Sequence, residues 1–276
     1  RSHTVIDMHQ CEILTPGLLA LVGELRRRLE PIFSPGEAAE LHVTQSDTGF
    51  DAAFRWQRNL VPGLSAQLAT ALEGTDIARL TLNGDTVFET ATPAIALGDV
   101  TVRLPSNTFL QSTAEGERAL QERVLKIVGK AKSVTDLFSG IGTFALPLAR
   151  KARVHAVEQD APALAALAAA SKAWGLKPVT TEKRDLFKVP LTSLELNVYD
   201  AVVLDPPRAG AESQARTLAK SRVPVIAYVS CDAATFARDA AILIAGGFKM
   251  GAVTPIDQFL WSSHIELVAA FSRSRK

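Results

Sequence analysis

Three side chains capable of chemistry lie at or within apolar, strand-like runs in the C-terminal half of the sequence. Asp205 ends one run and opens Asp205-Pro-Pro-Arg208, where two prolines remove two backbone donors and stiffen the loop. Cys231 follows the run 225–230, at a strand–helix junction where the helix N-terminus is expected to favour a thiolate. Glu266 interrupts an otherwise apolar strand, so it needs a partner or a function. The alternatives are a small buried cysteine and a glutamate in a salt bridge.

A glycine turn, residues 136–143 (DLFSGIGT), lies between an apolar strand and a helix. Glycines let the backbone approach a ligand closely, and a helix N-terminus offers free N–H groups. Glu158 ends the next strand, where a carboxylate can accept hydrogen bonds from both ribose hydroxyls of an adenosine. Asp136 before the turn, and the lack of a third glycine, favour S-adenosylmethionine over NAD because a carboxylate suits a cationic ligand. The alternative is a tight turn followed by a surface glutamate.

Asp185 follows the third apolar strand of this region, in Arg184-Asp185-Leu186. An adenine amino group would lie at this position, so Asp185 is a candidate acceptor for it. It could equally be an ordinary N-cap of a helix.

The elements that must position these residues alternate regularly from residue 106 onward. A long amphipathic helix over 115–130 precedes the first strand, and the chain ends in two consecutive strands without a helix between them. The predicted strands are 133–138, 153–158, 179–184, 201–204, 225–230, 248–255 and 265–271. Repeated βα units predict a mostly parallel, Rossmann-like α/β sheet that closes in a β-hairpin.

Residues 1–105 have shorter and more mixed elements. Helices are predicted over 16–30 and 62–74, and strands over 41–44, 51–56, 79–82 and 86–90. Asn83-Gly84 is a strong hairpin turn between the last two strands. We therefore expect a small α+β domain at 1–105 and the Rossmann-like domain at 106–276.

Composition excludes several classes of protein. The 276 residues are 47% hydrophobic and 21% charged, which is ordinary for a globular chain. Lys and Arg number 30 against 29 Asp and Glu, and the net charge of +1 is too balanced for electrostatically driven nucleic-acid binding. Two distant cysteines argue against a disulfide framework and favour a reducing compartment. We expect a cytoplasmic protein, monomeric, without a membrane partner.

The order of these motifs resembles that of the RNA uracil-5-methyltransferases, which make 5-methyluridine in tRNA and large-subunit rRNA. The resemblance covers residues 104–273. It is carried by Gln111, the turn 136–143, Glu158, Asp205-Pro-Pro-Arg208, Ser230-Cys231 and the ending Gln258-Phe…His264-Ile-Glu266. It is specific because the diproline loop, the cysteine and the final glutamate occur together.

The resemblance implies a role for each matching residue. Cys231 would be a nucleophile that adds to C6 of a uracil, and Glu266 the base that later removes the C5 proton. Asp205 would lie beside the methyl donor and the uracil edge, with Arg208 and His264 on the substrate. His264 is two residues from Glu266 on the same strand face, so it could orient that carboxylate or only pack. The residues implied to bind S-adenosylmethionine are Gln111, Asp136, Phe138, Gly140, Gly142, Thr143, Glu158, Asp185 and Asp205.

Cys11 lies in His9-Gln-Cys11-Glu, which resembles the segment that carries the last cysteine ligand of an iron–sulfur cluster in many family members. The other three ligands would lie upstream, so no cluster can form from this chain alone. The resemblance predicts a longer protein with those cysteines and a small RNA-binding β-barrel. Cys11 as a free thiol is the alternative.

Three other functions compete with uridine methylation. An S-adenosylmethionine-dependent enzyme that methylates an amino nitrogen could also use an Asp-Pro-Pro loop, and Cys231 would then be a bystander. A non-catalytic RNA-binding protein could retain the cofactor pocket. An NAD-dependent dehydrogenase is the most distant alternative, because the turn has a single glycine pair.

Overall fold

The computed structural model describes residues 7–274, which form two compact units. One unit contains the residues up to Ile95 together with Arg103–Asn107. The other contains Ala96–Val102 and the residues from Thr108 onward. The division into domains at residues 1–105 and 106–276 stays a prediction.

The first unit is a four-stranded sheet packed against two helices. Its elements are α1 (Pro16–Leu29), β1 (Ala39–Ser46), β2 (Gly49–Trp56), α2 (Pro62–Ala71), β3 (Ile77–Leu82) and β4 (Asp85–Glu89). The strands lie in the order β1-β2-β3-β4, and only the β2–β3 pair is parallel. Asn83 and Gly84 both have positive φ, +53° and +96°, as the tight hairpin turn between β3 and β4 requires.

A short hairpin, β5 (Ala94–Leu97) and β6 (Val100–Arg103), follows in the chain. The sequence analysis did not predict it. Each strand has only four residues, too few for an alternating pattern to stand out from the surrounding loop.

The second unit is a seven-stranded sheet with helices between its strands. The strands are β7 (Ser133–Leu137), β8 (Arg153–Glu158), β9 (Val179–Lys183), β10 (Ala201–Leu204), β11 (Val225–Ser230), β12 (Lys249–Ile256) and β13 (Glu266–Ser272). The helices are α3 (Ala114–Val128), α4 (Ala145–Leu148), α5 (Ala161–Ala173), α6 (Ser193–Leu196), α7 (Glu212–Lys220) and α8 (Ala233–Ala245). Of these, α6 was not predicted, because one helical turn leaves no periodic pattern.

The strand order β12-β13-β11-β10-β7-β8-β9 confirms the predicted mostly parallel sheet with a closing hairpin. Five strands, from β11 through β9, run parallel to their neighbours. β13 is antiparallel to both β11 and β12. Strand β10 is buried along its whole length, as expected for a strand with helices on both faces.

The sheet has its topological switch point between β7 and β10. The chain leaves β7 toward β8 and β9, and then returns to place β10 on the other side of β7. Ligands bind such sheets in the crevice at the carboxyl ends of the two strands on either side of the switch. The glycine turn follows β7 and the diproline loop follows β10, so both lie at this crevice.

Among residues 7–274, none of the helices is both long enough and apolar enough to cross a membrane.

Candidate active site

Asp136 is a fully buried acid on β7, one residue before that strand ends. Neither carboxylate oxygen makes a hydrogen bond of good geometry to a described residue, although the Ala145 N–H lies near enough to oppose protonation. Burial, together with the Asp205 and Glu158 carboxylates, raises the pKa of Asp136 well above its usual value. A buried carboxyl without partners is costly, so this position suits a ligand that brings a positive charge or hydrogen-bond donors.

The two glycines of the turn have different surroundings. Gly140 has φ +52°, and a Cβ added there would meet no described atom within 4 Å, so its backbone borders open space. Gly142 has φ +102°, and a Cβ there would lie 2.9 Å from Leu146 Cγ and 3.0 Å from Leu167 Cδ1. Gly142 therefore lets α4 and α5 pack against the turn, while Gly140 leaves room for a ligand. Thr143 continues the turn and is partly buried.

Glu158 holds the glycine turn in place. Its Oε2 accepts a hydrogen bond from Gly140 N–H at 3.1 Å, and its Oε1 accepts from the N–H groups of Gln159 and Asp160 at 2.7 and 3.0 Å. Oε1 thus accepts two hydrogen bonds and Oε2 one, so Oε2 can accept one more. Its predicted role with ribose hydroxyls stays a prediction.

Asp185 caps the turn that follows β9. Its Oδ1 accepts from the N–H groups of Phe187 and Lys188 at 3.1 and 3.3 Å, and Lys188 Nζ lies 3.2 Å from Oδ2. The Lys188 ammonium holds the pKa of Asp185 below its usual value. These bonds close a turn and not a helix, because the next helix of the described residues, α6, begins at Ser193. The alternative of a helix N-cap is therefore wrong, and the adenine contact stays a prediction.

An aromatic pair borders the same turn. The rings of Phe138 and Phe187 lie 5.3 Å apart between centroids, and Phe138 has φ +62°, an unusual conformation for a residue with a side chain. Phe187 is 42% exposed despite its size. Sequence reasoning named Phe138 and missed Phe187, whose only signal is an aromatic residue two positions after Asp185.

Gln258 links two distant segments of the site. Its Nε2 donates to Gln111 Oε1 at 2.8 Å, and its side chain lies so close to Gly116 of α3 that a Cβ there would be 2.6 Å from Gln258 Oε1. Gln258 is 3% exposed, and its hydrogen bonding to Glu266 lowers the pKa of that acid. The sequence analysis included Gln258 in a motif but gave it no role.

Cys231, Glu266, Asp205 and Arg208 form one electrostatic group. Burial and the Glu266 and Asp205 carboxylates raise the pKa of the Cys231 thiol, while Arg208 lowers it. The expectation of a helix-stabilised thiolate is therefore wrong for the protein without ligands. Burial and the two carboxylates outweigh any effect of the helix, whose first N–H groups are taken by another residue. Asp232 caps α8, and its Oδ1 accepts from the N–H groups of Ala234 and Thr235 at 3.0 and 2.9 Å.

The two acids of this group both have raised pKa values. Glu266 opens β13 and is 5% exposed, and burial raises its pKa, although Arg208 and Gln258 oppose the shift. Asp205 keeps partial exposure, yet burial and the Glu266 carboxylate raise its pKa to about 8. Its N–H donates to the carbonyl of Leu137 over 3.4 Å, which ties the diproline loop to the end of β7. Near neutral pH the crevice thus carries less negative charge than its composition suggests.

The sequence predicted that His264 lies on the same strand face as Glu266, and this prediction is wrong. β13 begins at Glu266, and His264 belongs to the exposed loop before it. Its N–H donates to Ser262 Oγ at 3.1 Å, and its ring is edge-on to Phe259 with centroids 6.1 Å apart. Side chains alternate between two faces only within a strand, and His264 precedes the first residue of β13, so the two side chains need not share a face.

Cys11 is a partly buried free thiol in the first unit. Within residues 7–274 no group of three or more His, Cys, Asp or Glu side chains could hold a metal ion. Cys11 and Cys231 are the only cysteines of the sequence, so the chain's own donors do not fit a four-cysteine cluster.

The sheet order, with its acid and glycine turn at the switch point, defines the fold of S-adenosylmethionine-dependent methyltransferases. One solved structure with this fold is the Pyrococcus abyssi tRNA (uracil-54, C5)-methyltransferase in complex with S-adenosyl-L-homocysteine. It matches with a TM-score of 0.77 at 20% identity, over 97% of this chain and 70% of that one. At this identity the likeness shows the fold alone.

The chain belongs to the tRNA (uracil-5-)-methyltransferase family, whose model matches residues 63–274. An uncharacterized RNA methyltransferase of Rhizobium meliloti is 47% identical over 274 residues, which are 99% of this chain and 66% of that protein. The 23S rRNA (uracil(1939)-C(5))-methyltransferase RlmD of Halomonas elongata is 32% identical over 96% of this chain and 59% of its own length. The chain thus spans about two thirds or less of these two relatives.

Proposed function

We propose that this protein transfers a methyl group from S-adenosylmethionine to C5 of a uridine in tRNA or rRNA, through a covalent bond between Cys231 and C6. The observation that supports this most directly is the electrostatic group at the crevice. It brings a partly accessible thiol together with two acids of raised pKa and one arginine. Membership of the family supports the same reaction.

The residues at the end of β7 fit the methyl donor. The buried Asp136 carboxyl without partners suits the positive charge of the donor, and the open backbone at Gly140 leaves it room. Phe138 and Phe187 offer ring faces for an adenine. The bound donor supplies a methyl group made electrophilic by its sulfonium.

Cys231 would begin the reaction by adding to C6 of the uracil. The S–C6 bond forms as the C5=C6 electron pair moves onto C5 and the adjacent carbonyl oxygen, so that C5 becomes nucleophilic. Asp205, with its pKa of about 8, is mostly protonated near neutral pH and can donate a hydrogen bond to that oxygen. The partly exposed thiol first loses its proton to solvent water, and Arg208 favours the resulting thiolate.

Glu266 would complete the reaction as the base. Once C5 carries the methyl group it still holds its hydrogen, and Glu266 removes that proton. The C–H electrons re-form the C5=C6 bond and expel the Cys231 thiolate. Burial, which raises the pKa of Glu266, makes its ionised form a stronger base. A positioned base typically contributes about 10²–10⁴-fold to the rate.

Transfer of labelled methyl to tRNA and rRNA that lack 5-methyluridine tests this proposal. We expect the label as 5-methyluridine with the wild-type protein and none with Cys231→Ala. Calorimetric binding of S-adenosylhomocysteine to both proteins serves as the control that the variant is folded. Methylation that survives Cys231→Ala would instead support the amino-nitrogen reaction. Binding of donor and RNA without any methyl transfer would support a non-catalytic role.

A further inference from the structure

The diproline loop, which we define as residues 205–211, is held by the side chains of α8. Pro206 and Pro207 have no N–H to offer, and the loop's internal bond runs from Gly210 N–H to Pro207 O at 2.8 Å. Thr235 Oγ1 donates to the carbonyl of Arg208 at 3.1 Å, and Arg238 Nη2 donates to the carbonyl of Ala209 at 3.0 Å. Side chains of α8 therefore bind the carbonyls of two successive loop residues, Arg208 and Ala209.

Asp239 makes the third and most buried contact. It is 0% exposed, and its Oδ2 accepts from the Ala211 N–H and from the Tyr228 hydroxyl, each at 2.6 Å. Its Oδ1 accepts from Arg238 Nε at 2.8 Å. A fully buried carboxylate is expensive to desolvate, and an apolar residue could fill the same volume at lower cost. The carboxylate therefore points to a need for fixed geometry at the end of this loop.

Gly210 shows how tight the arrangement is. It has φ +73°, and a Cβ added there would lie 2.5 Å from Arg238 Nη2 and 2.7 Å from Asp239 Oδ2. Only glycine combines this conformation with so close an approach of the loop to α8.

We propose that Asp239 is a positioning residue which, together with Arg238 and Thr235, fixes the part of the diproline loop from Arg208 to Ala211 and so holds Arg208 at Cys231. Asp205 is held separately at the end of β10, where its N–H donates to the carbonyl of Leu137. The hydrogen bonds of Asp239 go to Ala211, Tyr228 and Arg238, so it acts through the backbone of the loop. The catalytic consequence rests on the proposed function, but the placement of Arg208 can be measured without it.

The pH dependence of Cys231 alkylation by iodoacetamide, followed on the Cys231 peptide by mass spectrometry, tests the proposal on the intact protein. The charged groups that act on the thiol are Glu266 from β13 and Asp205 and Arg208 from the diproline loop. In Asp239→Asn, the amide places a donor against Arg238 or against the loop, so we expect Arg208 to move away. Relative to its high-pH plateau, alkylation at pH 7 should then fall about three- to tenfold, because the thiolate fraction falls.

The direction of this change is diagnostic. If Asp239→Asn only removed a negative charge and did not move the loop, it would favour the Cys231 thiolate. The midpoint of alkylation would then shift to lower pH. Greater access to the thiol would raise the plateau without moving the midpoint. Arg208→Gln gives the reference shift expected for loss of the arginine.

Tyr228→Phe is the matched control, because it removes a buried hydrogen bond to the same Asp239 oxygen but leaves the bond to Ala211. We expect its midpoint to equal that of the wild type. Thr235→Val and Arg238→Met should shift the alkylation midpoint to higher pH, like Asp239→Asn but by less. These two variants test the proposal if Asp239→Asn does not fold. An unchanged or lower midpoint in folded loop-anchor variants would overturn the proposal. The titration needs no RNA and no methyl transfer, so its outcome is separate from that of the methylation assay.

Discussion

At the scale of single residues, the crevice raises the pKa of its acids and so favours their protonated forms. Burial raises the pKa of Asp136 and Glu266, and that of Asp205 to about 8. A raised pKa in the folded state means that ionisation opposes folding. Stability from such a group is fully present below the unfolded pKa and is lost as the pH rises through the folded value. These acids therefore weaken the free protein near neutral pH at the place where its proposed chemistry occurs.

Asp205→Asn is expected to stabilise the protein, by an amount that grows between the ordinary aspartate value of 3.8 and the folded value of about 8. Thermal unfolding at pH 5 and pH 8 measures this, and we expect the increase in Tm to be a few degrees larger at pH 8. Asp85→Asn, at an exposed position of β4, is the matched loss of one charge. An equal change in Tm at both pH values would contradict the assignment.

Sequence reasoning located the residues that stand at strand ends, because chain order and apolar runs are enough to place them. It could not find the roles of Gln258 or Asp239, since their partners Gln111 and Ala211 lie 147 and 28 residues away in the chain. The prediction for the Cys231 thiol was also wrong, because its burial and the Glu266 and Asp205 carboxylates, which are distant in the chain, set the sign of the pKa shift.

At the scale of elements, one glycine of the glycine turn is expected to matter for stability and the other for ligand binding. Gly142→Ala is expected to lower the free energy of unfolding by about 2–4 kcal/mol, because the Cβ meets Leu146 and Leu167. Gly140→Ala should cost only about 1 kcal/mol, the strain of a left-handed backbone, since no described atom fills that space.

Urea unfolding and calorimetric binding of S-adenosylhomocysteine distinguish the two variants. Gly140→Ala should remain folded and bind the ligand several-fold more weakly, because its methyl group fills the space left for the ligand. Normal binding by folded Gly140→Ala would show that the ligand does not approach this turn.

Most elements were predictable from apolar runs and periodicity, including the four-residue strand β10, but the four-residue elements β5, β6 and α6 were not. α6 spans one turn, yet the sequence carried a signal for it: Thr192 and Glu195 form a capping box. The hairpin β5–β6 offers no comparable signal.

At the scale of the whole molecule, alternating strands and helices predicted the class of sheet but not its strand order. The order depends on which side of β7 the chain returns to after β9, and on pairing between β11 and β13, which are distant in sequence. These long-range pairings create the crevice. The near balance of charge, with a net charge of +1, argues that recognition of an RNA by this chain depends on local contacts more than on its overall field.

The central claim is the covalent bond between Cys231 and C6 of a uridine. RNA substituted with 5-fluorouridine tests it most directly, because the methylated adduct then has fluorine at C5 in place of the proton that Glu266 must remove. With S-adenosylmethionine present, we predict an RNA–protein complex that survives denaturation, with the modified nucleotide mapped by mass spectrometry to the peptide containing Cys231. Formation of 5-methyluridine in ordinary RNA without any such adduct would contradict the account.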